Sequence, residues 1–164
     1  MESKLIKKLV VLLLVITVTG CSDENDGSVS REFFANTSLT ILQDDPYLNF
    51  RLDDGQSLLF RYSLNYPDEP NIADDEVSDV FWFEIPTGQT SFSFDLSQDV
   101  DTLPMLFQRV CFCPPISYTF RSVSITGKQL NVGEWQITFD MQALDSDNTV
   151  YPLRDEGVYK LSTF

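Results

Sequence analysis

Histidine is absent from this sequence of 164 residues, and basic side chains are few, with 11 lysines and arginines against 25 acidic residues. The missing imidazole excludes Ser-His and Cys-His nucleophile pairs, the commonest general base and every zinc site that contains histidine. The net charge of −14 argues against nucleic acid and against direct contact with anionic lipid, because both partners need a basic surface. We therefore predict a protein that is not an enzyme and has no nucleic-acid partner.

The first 20 residues have the pattern of an export signal. Three lysines lie within the first eight residues, and an uninterrupted apolar run follows from Leu9 to Ile16. A basic head, a short apolar core and a small-residue exit are typical of a signal peptide. The apolar run is well short of the roughly 20 residues that a membrane-spanning helix needs. We predict that residues 1–20 are a signal peptide.

The end of this leader, Val18-Thr19-Gly20-Cys21, resembles the bacterial lipobox, in which an aliphatic residue and two small ones precede a lipidated cysteine. The resemblance implies that the chain is cut before Cys21. It also implies that the Cys21 thiol carries a diacylglyceryl group and that the new amine carries a further acyl chain. Several acyl chains together hold a protein firmly on a membrane, whereas one chain is marginal. An ordinary signal peptide or an uncleaved anchor is the alternative interpretation.

Residues 21–32 are predicted to be the lipidated cysteine and an acidic, flexible tether. Acidic residues behind Cys21 resemble the surface-export signals of lipoproteins in Bacteroidetes-type bacteria, and Ser22 differs from the aspartate that retains lipoproteins in the inner membrane. The resemblance implies an outer-membrane location, facing outwards. In overall plan the chain is similar to small surface lipoproteins of such bacteria that have no assigned role. A tether that is acidic only for solubility is the alternative.

The 144 residues after the leader are enough for one domain with a hydrophobic core, which we place at residues 33–164. Without the leader the net charge is −16. Apolar and polar residues alternate in this region, most clearly from Trp135 to Ala143, where the odd-numbered positions are apolar. This alternation and the frequent turn signals predict an all-β fold. We expect an antiparallel, immunoglobulin-like β-sandwich of about nine or ten strands.

Two hairpins are predicted from their turn residues. Asp53-Asp54-Gly55 lies between two strand-like runs, and a three-residue loop there aligns the apolar positions of both runs. Gly55 is then expected to take the left-handed conformation. The second hairpin joins the Trp135 strand to residues 149–152 through a loop of four residues. That loop would pair Ala143 with Val150, both facing inwards.

Cys111 and Cys113 are the only cysteines besides Cys21. Residues two apart in a strand point the same way, with Cα atoms near the upper limit of distance for a disulfide. Three interpretations stay open: two packed thiols, a strained bridge, and a soft-metal site. Two thiolates are too few ligands for a closed zinc site. Packed thiols are the interpretation we favour.

Calcium is the one metal that the acidic loops suggest. Asp145, Asp147 and Asn148, followed by Glu156, partly mimic the spacing of a calcium loop. The pattern fails at its sixth position, which should be glycine and is Val150. Solvated turn residues are the commoner explanation of such clusters. We expect no cofactor other than the covalent lipid, with calcium as the alternative.

Trp82 lies on the opposite side of its strand from Phe81 and Phe83, and it is a candidate for an exposed tryptophan that stacks on a sugar ring. A central strand that is apolar on both faces is the alternative interpretation. These features together predict a surface lipoprotein whose domain is an interaction or ligand-binding module of unknown specific role, with a structural or protein-partner module slightly favoured. A carbohydrate-binding module of a polysaccharide-uptake system is the alternative. A small hydrolase or a redox protein that uses Cys111 and Cys113 is the rival hypothesis.

Overall fold

A computed structural model describes residues 27–42, 50–67, 77–97, 103–112 and 116–163. The predicted signal peptide, Cys21 and Cys113 lie outside these described residues. The first strand begins at Ser28, so residues 28–32, which we assigned to the tether, belong to the sheet. The folded part therefore starts five residues before the predicted boundary at residue 33.

Eight strands account for most of the described residues: β1 (Ser28–Ile41), β2 (Phe50–Asn65), β3 (Ser78–Pro86), β4 (Ser91–Asp95), β5 (Met105–Val110), β6 (Thr119–Asn131), β7 (Glu134–Leu144) and β8 (Val150–Leu161). They form one sheet with the order β4-β6-β7-β8-β1-β2-β3-β5. Neighbouring strands are antiparallel except β1 and β8, which are parallel. Within the described ranges we find no helix with the length and hydropathy required to span a bilayer.

The predicted all-β class is confirmed, whereas the sandwich and its immunoglobulin-like arrangement are not. The described strands number eight rather than nine or ten, and they belong to one continuous sheet. This sheet has two halves, β1-β2-β3-β5 and β4-β6-β7-β8, which we call the first and second halves. Each half is antiparallel within itself.

The core lies between these halves and is largely aromatic. Phe60 of β2 lies 5.7 Å from Trp135 of β7 between ring centroids, and Phe81 of β3 lies 5.1 Å from Phe139. These contacts join strands that are not neighbours in the sheet, so the sheet is curled and its inner face packs against itself. The predicted inward series of β7 is confirmed, because Trp135, Ile137, Phe139, Met141 and Ala143 are all buried.

The two halves are joined by a short parallel contact between β1 and β8. Only two pairs of residues align there, Glu32 with Lys160 and Phe33 with Leu161. Arg31 crosses this seam, and its Nε donates to Asp155 Oδ2 over 2.8 Å. The Asp155 side chain is 5% exposed. The Arg31–Asp155 ion pair therefore stabilises a seam in which only two residue pairs of the two strands are aligned.

The β1–β2 hairpin bends back over the outer face of the first half. Phe50 lies eleven residues before Arg61, which pairs with Trp82, so a straight strand would separate Phe50 from Trp82 by roughly 35 Å. Their ring centroids lie 5.7 Å apart. Residues 37–41 and 50–54, which we call the hairpin arm, therefore fold against β3. The N–H of Leu39 in the arm donates to Glu84 Oε2 of β3 over 2.7 Å.

A shift in register marks the crease of this arm. Ala35 pairs with Leu58, but Thr37 already pairs with Asp54, so three β2 residues face the single residue Asn36. Asn36 has a φ of 56°, a left-handed conformation that asparagine tolerates better than most residues. Such an excess of residues on one strand bends the pair.

The predicted turn at Asp53-Asp54-Gly55 is therefore wrong. Asp53 and Asp54 are paired strand residues, opposite Ser38 and Thr37. Among the described glycines, only Gly88 has a positive φ, so Gly55 is not left-handed. The turn signal marked the crease of a longer hairpin, and the connection between β1 and β2 includes residues outside the described ranges. Small polar residues suit a sharp bend as well as a turn, and the local sequence does not separate the two.

The second predicted hairpin exists, but its register is shifted by one residue. Leu144 pairs with Val150 and Ala143 pairs with Tyr151. The loop therefore has five residues rather than four, and one of them, Asn148, takes a φ of 61°. Val150 consequently faces outwards, with 40% of its surface exposed, and Tyr151 packs against the core instead.

Gly55 is expected to resist substitution because of its close approach to β1. A Cβ built on Gly55 would lie 1.8 Å from Ser38 Oγ and 2.7 Å from Ser38 Cβ. Gly55→Ala should therefore lower the free energy of unfolding by about 1–3 kcal/mol, the usual cost of overpacking. Gly133→Ala is the matched control, since its Cβ would meet nothing closer than 3.7 Å. Equal denaturation midpoints for the two variants would contradict the close packing of Gly55 against Ser38 at the bend of the hairpin.

Candidate binding surfaces

One end of the sheet is organised around a partly buried ion pair. Asp79 of β3 and Arg109 of β5 are cross-strand partners. Arg109 donates from Nε to Asp79 Oδ1 and from an Nη atom to Oδ2, each over 2.7 Å. The Asp79 side chain is 4% exposed and that of Arg109 is 28% exposed. Two parallel charge-assisted hydrogen bonds fix the plane of the guanidinium.

Tyrosine rings cover this guanidinium. Its central carbon lies 4.7 Å from the ring centroid of Tyr151 and 5.6 Å from that of Tyr66. The Tyr66 hydroxyl donates to Asp79 Oδ2 over 2.7 Å. The hydrogen bonds to Asp79 raise the pKa of Arg109, so Arg109 stays charged. Burial first, and then the bond to Asp79, raises the pKa of the Tyr66 hydroxyl.

Tyr118 extends this group across the gap between the halves. Its ring lies 4.8 Å from that of Phe107 in β5 and 5.3 Å from that of Tyr151 in β8, both edge to face. We call Tyr66, Asp79, Arg109, Tyr118 and Tyr151 the arginine–tyrosine cluster. The cluster closes one end of the curled sheet, since it links the edge strand β5 to strands of the second half.

The residues proposed for calcium are not brought together. Asp145 Oδ1 accepts the N–H groups of Asp147 and Thr149, and its Oδ2 accepts the Tyr151 hydroxyl. Burial alone would raise the pKa of Asp145, but these hydrogen bonds outweigh it and lower the pKa. Glu156 lies six residues along β8 from Val150, or about 20 Å from the loop. In the described ranges, no three acidic or cysteine side chains are grouped to hold a metal.

Cys111 forms a disulfide, so the packed-thiol prediction is wrong for this residue. The other two cysteines of the chain, Cys21 and Cys113, lie outside the described residues. Cys111 follows β5 directly and therefore lies beside the arginine–tyrosine cluster. A disulfide at this point is compatible with an exported protein, because such bonds persist in oxidising compartments.

Trp82 is buried, with 5% of its surface exposed, so the candidate role of an exposed sugar-stacking residue is wrong. Phe50 of the hairpin arm lies against its ring, and the Arg61 guanidinium carbon lies 5.6 Å from the ring centroid. The strand is apolar on both faces, which was the alternative interpretation. The cover comes from the arm, which belongs to a different hairpin.

A polar groove lies on the outer face of the second half. It has a volume of about 410 Å³, and its lining includes Asp95, Ser97, Arg121, Ser124, Asp140, Gln142 and Arg154. Asp95, Ser124, Asp140 and Arg154 are aligned across four neighbouring strands. Arg154 forms an exposed ion pair with Asp140, whereas Arg121 has no ion pair among the described residues. Arg121 lies at a register shift in β6, a feature that redirects a side chain.

No family model matches this sequence, and no curated protein and no solved structure matches it either. A function for this chain is therefore proposed from its sequence and its geometry alone.

The sequence indicated neither surface in advance. Asp79 and Arg109 are 30 residues apart, and nothing in the local sequence around either indicates the other. The groove residues come from four strands and the turn after β4, and they are individually ordinary surface residues. The alternation of β6 and β7 does predict which side chains face outwards, but not which strands become neighbours.

Replacing Asp79 by Asn should destabilise the fold more than the same change at Asp140. Asp79→Asn leaves Arg109 without its counter-charge in a mostly buried place, and we expect a loss of about 1–3 kcal/mol because some solvent still reaches the guanidinium. Asp140→Asn breaks a pair whose side chains are 49% and 75% exposed, so the loss should stay below about 1 kcal/mol. Urea denaturation measures both. Similar losses would show that the Arg109 pair is not a buried one.

Proposed function

We propose that this chain is a surface lipoprotein, anchored to the outer membrane through lipid on Cys21, and that its β domain is a binding module. The lipobox-like end of the leader supports the anchor. The fold is compatible with it, because β1 begins at Ser28 and only a short polar segment separates the sheet from Cys21. The domain would thus be held close to the membrane.

A binding role, rather than catalysis, is supported by the use of the acidic side chains. Asp79, Asp145 and Asp155 each accept hydrogen bonds that hold strands or a turn in place. A catalytic carboxylate has to face a substrate, with its partner group within reach. The groove on the second half does contain two carboxylates, but Asp140 is paired with Arg154 and Asp95 accepts hydrogen bonds from Ser97. The groove therefore offers a mixed set of donors and acceptors instead.

Replacing Cys21 by Ser tests the anchor. The variant should incorporate no fatty acid during metabolic labelling and should stay an unprocessed precursor, whereas the parent protein should be labelled and shed its leader. Added protease on intact cells should digest the parent protein and so establish that it faces outwards. Label retained after Cys21→Ser, or absent from the parent protein, would refute the lipoprotein proposal.

Carbohydrate is the ligand class that the groove favours. Carboxylate, amide, hydroxyl and guanidinium groups lie side by side there, and together they can donate to and accept from neighbouring sugar hydroxyls. Arg121 is the one cation in the lining without an ion pair in the described part of the chain, so its donors are available. The buried position of Trp82 means that such a sugar would be held by hydrogen bonds more than by stacking.

A glycan array probed with the detergent-purified protein tests this ligand class. A bound glycan should lose about tenfold in affinity on Arg121→Ala, which corresponds to about 1.4 kcal/mol for a charged hydrogen bond. Lys160→Ala is the control, since Lys160 is also an exposed cation of the second half but is not among the groove residues. Equal losses for both variants, or no glycan bound at all, would argue for a protein partner.

A further inference from the structure

The start of β1 and the end of β5 lie in one row of paired residues at one end of the sheet, with β2 and β3 between them. Ser28 pairs with Asn65, Asn65 pairs with Ser78, and Ser78 pairs with Val110, so these four residues form one row across β1, β2, β3 and β5. The amide of Asn65 donates to Ser28 Oγ over 3.0 Å, and Ser78 Oγ donates to Asn65 Oδ1 over 2.7 Å. Three strand spacings place Val110 about 14 Å from Ser28. We call this end the anchor-side end.

Several large apolar side chains are exposed at the anchor-side end. Val110, in the last pair of β5, is 55% exposed, and Phe112, two residues beyond it, is 88% exposed. Ile116, Val150 and Tyr66 are each about 40% exposed at the same end. A phenylalanine that is almost fully in water is unfavourable unless something covers it, and grouped exposed apolar side chains mark interaction surfaces.

The length of the preceding chain limits what can cover them. Seven residue steps separate Cys21 from Ser28, which even when fully extended span at most about 25 Å. A lipid on Cys21 therefore keeps Ser28 within that distance of the bilayer, and Val110 lies about 14 Å from Ser28 along the row. Phe112 lies two residues beyond Val110 of the same row. The tether is therefore short enough for the bilayer to reach Phe112.

We propose that the anchor-side end rests on the bilayer, with Phe112, Val110 and Ile116 inserted among neutral lipid headgroups. This inference rests on the lipid anchor proposed above. Tyr66 and Tyr151 suit the position behind them, because their rings are apolar and their hydroxyls are polar, as at membrane–water interfaces. Arg109 is held between these two rings and keeps the end rigid.

The charge of the protein selects the kind of lipid. The exposed hairpin loop at the same end carries Asp145 and Asp147, and the chain as a whole is strongly acidic. Anionic headgroups would be repelled, whereas zwitterionic ones would not. The contact is small, so it should depend on the covalent lipid to bring it to the membrane. It fixes the orientation of the domain and turns the groove of the second half sideways, towards the medium.

Tryptophan fluorescence can report this contact, because both native tryptophans, Trp82 and Trp135, are buried. Phe112→Trp introduces an exposed reporter at the anchor-side end. Val132→Trp is the matched control, since Val132 is 86% exposed in the β6–β7 turn at the opposite end. The acylated protein is reconstituted into phosphatidylcholine vesicles, with and without bromine on the acyl chains, and the emission of the parent protein is subtracted.

We expect the added emission of the Phe112→Trp variant to shift to shorter wavelength and to be quenched by the brominated lipid, with neither change for Val132→Trp. Acylated protein without quenching of the first variant overturns the contact and leaves the anchor intact. A blue shift without quenching that grows with protein density would instead show contact between copies of the chain, and it too overturns the proposal. An intact mass without acyl chains refutes the anchor and this inference together.

Discussion

The seam between β1 and β8 is the constraint on which the rest of the molecule depends. Each half of the sheet is built from antiparallel pairs, but the halves meet through only two aligned residue pairs. The aromatic core lies between them, and the seam holds the two inner faces together along one side of that core. Arg31 and Asp155, 124 residues apart, supply a bidentate ion pair at this point, and the Tyr159 hydroxyl also donates to Asp155. Gly157 leaves the room for the Arg31 side chain, whose Nε would lie 2.3 Å from an added Cβ.

The bent β1–β2 hairpin covers the apolar side chains that β3 places on the outer face of the sheet. The outer face of a curled sheet meets water, yet β3 is apolar on both faces. By folding back at Asn36 and Gly55, the hairpin arm gives Trp82 a second apolar cluster that is separate from the main core. The Glu84 carboxylate accepts the Leu39 N–H and thus ties the arm to the strand that it covers. The second half has no such cover among the described residues, and its outer face is correspondingly polar.

The two surfaces to which we assign proposed roles differ in chemistry and in position. The anchor-side end combines exposed apolar side chains with the arginine–tyrosine cluster, next to the start of β1. The groove of the second half is polar and lies on the side of the sheet rather than at its end. Under the lipid anchor and the membrane contact that we propose, the first surface would face the bilayer and the second would face the medium. The acidic charge of the chain is compatible with both tasks, since the contact proposed at the membrane is apolar and the groove contains its own cations.

The sequence by itself determined the all-β class and the buried face of β7, because the period-2 alternation from Trp135 to Ala143 is a local property of the chain. It also located the second hairpin to within one residue of its register. Only the tertiary structure decided that the strands form one curled sheet, that Gly55 marks a crease rather than a turn, and that Trp82 is covered. Each of these depends on residues far apart in the chain, such as Phe50 against Trp82. The arginine–tyrosine cluster likewise depends on residues that are far apart in the chain. Patterns along the chain set which way a side chain points, whereas the meeting of distant strands sets what it touches.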